Sequence, residues 1–193
     1  MPKPAEVGIV KPTAVPANIA DPIVEKEIRK RLKFLESTTK PTGELTKADL
    51  EKVDLLNLSE NQLTEVPKGL EKLTQLERLA LWKNKLTTVK GLEKLTQLTE
   101  LHLNDNRLSN VKGLENLTQL ETLNLRDNQL TDVKGLENLT QLKTLSLYGN
   151  KLTDVKGLEK LTELESLDLR TNQLTSVEGL EKLTQLTELY LVN

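Results

Sequence analysis

The chain of 193 residues carries 27 basic and 29 acidic side chains, and its net charge is −2. Both signs are interspersed, which excludes the basic footprint of nucleic-acid or anionic-membrane binding. With no cysteine there is no disulfide framework or thiolate metal site, and with no apolar run of about 18 residues nothing spans a membrane.

Residues 1–20 hold Pro2, Pro4, Pro12 and Pro16 with few large apolar side chains. They read as an extended linker, either a loose terminus or a tether behind a removed export or lipid signal. The opening MPKPAEVGIV itself lacks the charged-then-apolar pattern of a secretory signal. Asp21-Pro22 marks a helix start, because Asp caps the free amides and Pro suits the first turn. Val24, Ile28, Leu32 and Leu35 follow on one helical face. Lys40-Pro41-Thr42-Gly43 breaks the chain, and Thr46 with Asp49 starts a second helix in the manner of a capping box. Residues 21–52 therefore predict a helical cap, with Phe34 in its core.

From Val53 onward one unit is copied. Asn61, Asn84, Asn106, Asn128, Asn150 and Asn172 recur every 22 residues after a first interval lengthened by Pro67. A fixed period in this range builds a solenoid. Within a unit, Leu79-Ala80-Leu81-Trp82 alternates like a short strand with one buried face. The asparagine comes next, where the chain turns, and its amide can bond adjacent backbone, predicting an interior ladder. Leu92, Leu95 and Leu98 recur every three residues, the spacing of a 3₁₀ turn, and Gly91 opens that turn. No single unit buries its own leucines, but stacked units do. The expected fold is α/β: a right-handed solenoid over residues 53–193, about six and a half units, with a concave parallel sheet and convex 3₁₀ turns. The last unit ends at Asn193, leaving Leu180, Leu183, Leu186 and Leu189 as an exposed end. Truncation, or a weak end-to-end dimer in place of a monomer, would account for it.

The pattern T-x-V-x-G-L-x-x-L-T-x-L-x-x-L-x-L-x-x-N resembles the 22-residue leucine-rich repeats of bacterial internalins. The same repeat class occurs in the intracellular regulator of protein phosphatase 1. The resemblance covers residues 20 to 193 and includes the helical cap, carried here by Ala20-Asp21, Ile28, Leu32, Leu45-Thr46 and Asp49-Leu50. It implies a bacterial, secreted or cell-surface protein that recognises another protein, or a regulatory subunit inside the cell.

Comparison of the repeats separates scaffold from surface. Leucine, valine, glycine and asparagine barely change, whereas the outward strand positions vary. One column reads Ser59, Trp82, Asn104, Arg126, Tyr148, Arg170, Val192; the next reads Asn57, Ala80, His102, Asn124, Ser146, Asp168, Tyr190. A third runs Leu55, Arg78, Glu100, Thr122, Thr144, Ser166, Glu188. Three of the four aromatics and the single histidine stand in these columns. Trp, Tyr and Arg dominate interface energetics, and strands about 4.8 Å apart would let Arg126, Tyr148 and Arg170 stack. Drift at unrestrained positions would favour small and charged residues instead. Arg78, Trp82, His102, Asn104, Arg126, Tyr148, Asp168, Arg170 and Tyr190 thus form the candidate surface for a protein or glycan ligand.

His102 between Glu100 and Asn104 reads as a contact residue, since no nucleophile or second histidine supports a catalytic base. Glu60, Asp105 and Asp127 either bind a cation or solvate the sheet edge, with too few ligands for a dedicated calcium site. Lys90, Glu93 and Lys94 read as a solvated convex face. No enzyme, cofactor or metal signature is present. The near-identity of GLEKLTQL and GLENLTQL between units also fits a structural or engineered consensus scaffold without a dedicated ligand.

Overall fold

The computed structural model describes residues 16–36 and 43–191. Most of the proline-bearing start, the Lys40–Thr42 break, Val192 and Asn193 lie outside the described residues. Residues 16–20, the last of the segment read as a linker, are tied down. Pro16 bridges Thr46, Ala17 is buried and donates its N–H to Leu45 O at 2.7 Å. Lys72 Nζ donates to the carbonyls of Ala17 and Asn18.

Helix α1 spans Pro22–Glu36. Asp21 Oδ1 accepts from the N–H groups of Ile23 and Val24 at 2.9 and 3.1 Å, satisfying donors that have no intrahelical partner. Helix α2, Lys47–Leu50, starts in a reciprocal capping box between Thr46 and Asp49. Val24, Ile28 and Leu32 are buried, but Leu35 is 43% exposed and Phe34 75% exposed. The expectation that Phe34 belongs to the cap core is wrong. The buried stripe recurs every four residues, and a side chain two positions beyond Leu32 points to the far side of the helix. The Arg31 guanidinium lies over the Phe34 ring at 5.3 Å.

Arg31 also clamps the helix to the repeats. Its Nε and Nη2 reach the Asp54 carboxylate at 2.7 to 2.9 Å. Partial burial pushes the Asp54 carboxyl up, but the Arg31 hydrogen bonds and the Arg31 and Arg78 charges outweigh it and hold the group below its ordinary range. A depressed folded pKa contributes stability that is full above the unfolded aspartate value of about 3.9 and is lost as pH falls through the folded value. Asp54→Asn should therefore melt below wild type at pH 7. In thermal melts the gap should close as pH falls below the ordinary aspartate range and through the depressed folded value.

Seven strands come next in sequence order and pair in parallel. They are β1 Leu55–Asn57, β2 Arg78–Ala80, β3 Glu100–His102, β4 Thr122–Asn124, β5 Thr144–Ser146, β6 Ser166–Asp168 and β7 Glu188–Tyr190. The register aligns Leu56, Leu79, Leu101, Leu123, Leu145, Leu167 and Leu189 across the sheet. All but Leu189 are buried, and with the convex leucines they make one continuous core. Each fully buried leucine contributes about 1.5–3 kcal/mol relative to exposure. This is the right-handed leucine-rich-repeat solenoid that the period predicts, with its concave sheet and its convex 3₁₀ turns and bends.

On the convex side, Leu70–Lys72, Leu158–Lys160 and Leu180–Lys182 form 3₁₀ helices. The intervening units turn with the same spacing of backbone bonds, as in Leu92 N to Val89 O and Leu95 N to Leu92 O. Gly91 has φ +108°, a left-handed conformation that favours glycine. Its N–H is free for a side chain, and Glu93 Oε2 accepts it at 2.8 Å. Glu71, Glu115, Glu137, Glu159 and Glu181 repeat that bond at 2.6–2.8 Å. The glutamates read as a solvated face thus hold the convex turn. Its own N–H and that of Gly157 keep Glu159 below the usual carboxylate range.

The asparagines form a ladder with a direction. Asn128 Oδ1 accepts from Leu108 N–H of the preceding turn at 3.0 Å. Its Nδ2 donates to Leu103 O of that turn and to Leu125 O and Arg126 O of its own. Asn84, Asn106, Asn150 and Asn172 repeat this scheme. Asn61 does not: it is exposed and its side chain donates only to Ser59 O, because no repeat precedes it. At the other end Leu180 and Leu183 are buried against the preceding turn, while Leu189 and Leu191 are 41% and 36% exposed. The exposed end is therefore narrower than the leucine spacing suggests.

Candidate functional site

The outward strand positions lie where their columns place them. Alternation turns every strand's middle leucine inward and its two neighbours outward. The asparagine ladder then fixes the segment just past each strand, since the Nδ2 groups of Asn84, Asn106, Asn128, Asn150 and Asn172 bond the carbonyls of Trp82, Asn104, Arg126, Tyr148 and Arg170. The scaffold thereby holds the backbone of the most variable column.

Four of the nine candidate residues form one stack. The Arg126 guanidinium lies 4.6 Å from the Tyr148 ring centroid. The Arg170 guanidinium lies 5.5 Å from the Tyr148 ring and 4.9 Å from that of Tyr190. Each contact is a cation–π geometry worth about 0.5–1 kcal/mol at an exposed site, and the four side chains make a rail across the last turns. Asp168, beneath it, binds Arg170 in a two-point fork, Nε to Oδ1 at 3.0 Å and Nη2 to Oδ2 at 2.7 Å. Burial pushes the Asp168 carboxyl up, but the Arg170 side chain and backbone N–H and the nearby Arg126 charge bring it below its ordinary range.

The remaining candidates stand apart from the rail. Trp82 is half-buried, with Lys83 Nζ 5.1 Å from its ring. His102 Nε2 and Glu100 Oε1 share a hydrogen bond of 2.6 Å, and Arg78 reaches Asp54 at 3.8 Å. Asn104 Nδ2 donates to Asp105 Oδ2 at 2.7 Å. Among the described residues, no three His, Cys, Asp or Glu side chains lie close enough to hold a metal ion. No described helix is long and apolar enough to cross a membrane.

Two features escape a reading of the columns. The residues one position further on, Lys83, Asp105 and Asp127, each brace the outward side chain before them: Lys83 over Trp82, Asp105 on Asn104, and Asp127 on Arg126 Nε at 2.9 Å. Asp105 and Asp127 are thus engaged by side chains instead of simply facing solvent. Glu60 pairs with Lys83 at 3.2 Å. The identical offset from the varying column is the signal that could have found them. The second feature is Phe34, which with Arg31, Leu55 and Leu56 lines an apolar groove of about 220 Å³ beside the first strand.

The profile of the leucine-rich repeats (two copies) matches residues 74–116, 96–138, 118–160 and 140–182. The chain belongs to the leucine-rich-repeat family. Among solved structures, an internalin (InlF) from Listeria monocytogenes str. 4b F2365 superposes with a TM-score of 0.67 at 28% identity, over 91% of this chain and 57% of that one. Internalin C2 (InlC2) of the same strain gives 0.66 at 26% identity, covering 92% and 87%. The functional domain of InlJ from Listeria monocytogenes gives 0.71 at 28% identity, covering 83% of this chain and 34% of that one. No curated protein sequence matches the chain. The repeat protein is internalin-like in period and in architecture, a class that typically mediates protein–protein interaction. The InlJ domain includes a cysteine ladder; here asparagines run the length of the stack.

Proposed function

We propose that the concave sheet of this leucine-rich-repeat protein is a recognition surface for a protein partner, displayed outside a bacterial cell. The observation that carries the reading is the Arg126–Tyr148–Arg170–Tyr190 rail. Tyrosine and arginine are the residue types that anchor interfaces, and here their side chains are ordered before any partner arrives. Among the described residues neither Nη of Arg126, nor Nη1 of Arg170, nor either tyrosine hydroxyl has a hydrogen-bond partner. These donors face a partner already oriented. Trp82 with Lys83 forms a second anchor, His102 and Asn104 belong to the turn between it and the rail, Asp168 holds Arg170 from beneath, and Arg78 supplies charge at the margin. Residues 21–52 cap the first turn and residues 53–193 carry the reading surface.

The test is affinity capture from cell-surface and lysate pools, with Trp82→Ser/Tyr148→Ser/Arg170→Ser as the comparison and its fold checked by circular dichroism. A partner retained by wild type and lost by the folded variant supports the reading. The expected loss is at least about 100-fold in affinity, since each hot-spot truncation typically costs about 2 kcal/mol. Equal retention by both chains would move the site off the concave face, and failure of wild type to capture any partner would favour a plain scaffold.

A further inference from the structure

We infer that Gly149 is a positioning residue for the rail: its missing side chain admits the Asp127 carboxylate that holds Arg126 over Tyr148. The inference deepens the recognition reading and rests on it only for its consequence in binding.

The position after the outward column has the same backbone in six described turns. Glu60, Lys83, Asp105, Asp127, Gly149 and Thr171 have φ of +61°, +51°, +57°, +50°, +65° and +55°. Non-glycine residues adopt that left-handed conformation at a modest cost, and in the other five turns they do. The conformation alone therefore does not call for a glycine at 149. Space does. A Cβ built on Gly149 would fall on Asp127 Oδ1, far inside contact distance, and at 3.3 Å from Asp127 Cγ. The other described glycines with positive φ show no comparable overlap, their nearest neighbours lying at 3.2 Å or beyond.

The carboxylate in that space has a task. Asp127 Oδ2 accepts from Arg126 Nε at 2.9 Å, and the guanidinium so held lies 4.6 Å from the Tyr148 ring. In three turns the residue after the anchor braces it: Lys83 on Trp82, Asp105 on Asn104 and Asp127 on Arg126. Tyr148 has no brace of its own, because Gly149 has no side chain. It is held instead from both sides by Arg126 and Arg170. The glycine thus exchanges a local brace on one anchor for a shared one on two. Ordering a long side chain before association removes a cost otherwise met on binding, worth about threefold to tenfold in affinity.

The test needs no partner. Nuclear magnetic resonance of the labelled full chain reads the Arg126 Nε–Hε signal, which in wild type should carry a ring-current shift and cross-peaks to the Tyr148 ring. Gly149→Ala should lose the cross-peaks and return the signal toward that of a free arginine, with the amide spectrum of β1–β3 unchanged. Asp127→Ala should do the same. In the Asp127→Ala background, Gly149→Ala should leave the Arg126 signal where it is and lower the melting temperature by less than it does in wild type. Retention of the Arg126–Tyr148 cross-peaks in Gly149→Ala would overturn the inference. So would an equal fall in melting temperature in both backgrounds, which remains measurable if Gly149→Ala alone folds poorly. Because the readout is in the free protein, failure here is separable from failure of the recognition reading.

Discussion

Asn128→Ala is expected to destabilise the solenoid by roughly 3–5 kcal/mol, whereas Asn61→Ala should cost less than about 1 kcal/mol. Asn128 is buried at 8% exposure and serves two turns. Without it, the N–H of Leu108 loses its acceptor inside the protein. A stranded buried donor costs about 1–3 kcal/mol and each lost bond about 1 kcal/mol more. The carbonyls of Leu103 and Leu125 keep one amide donor each, from Asn106 and Asn150, which limits the total. Asn61 holds only Ser59 O at an exposed edge, so water replaces it. Equilibrium denaturation of the two variants measures the contrast. Equal losses would mean that the ladder is not a cross-turn device.

Leu145→Ala should cost about 3–5 kcal/mol and Leu189→Ala much less than half of that. Leu145 is 1% exposed and sits between Leu123 and Leu167 on the neighbouring strands, while Leu189 is 41% exposed with a strand on one side only. Truncating an enclosed leucine removes its transfer free energy and leaves a cavity that its neighbours only partly close. In a solenoid each turn is supported by its two neighbours, so the cost depends on position in the stack. Chemical denaturation tests this as well, and a flat profile along the column would contradict the one-dimensional account.

Most of the fold was legible in the sequence because a 22-residue period leaves few ways to bury its leucines. The strand face, the convex turns and the interior asparagines all result from that single constraint. The features that were not legible depended on direction or on neighbours out of sight. Each later asparagine bonds backward to the preceding turn, and the Asn61 side chain has no such turn to reach; the spacing carries no sign of that asymmetry. Phe34 reads as core because it is large and apolar, yet the helical stripe that meets the repeats is already filled by Val24, Ile28 and Leu32. Glu93 and its equivalents read as solvated because nothing in a repeat announces that a left-handed glycine leaves its N–H free.

The same limit applies to the concave face. The stacking of Arg126, Tyr148 and Arg170 is a consequence of strand spacing, and its extension to Tyr190 of the register of β6 and β7. The bracing by Lys83, Asp105 and Asp127 is not, because a charged residue at a sheet edge is also the mark of a solvated edge. Only the side-chain geometry separates the two.

The most direct measurement of the recognition reading is the footprint of the captured partner on the labelled chain, monitored by backbone and side-chain chemical-shift changes. Recognition through the concave sheet should perturb β4–β7 and the Arg126, Tyr148, Arg170 and Tyr190 side chains most, with a second centre at Trp82 and the His102 and Asn104 signals between the two. A footprint confined to the convex turns, around Gly91, Gly113 and Gly135, would contradict it.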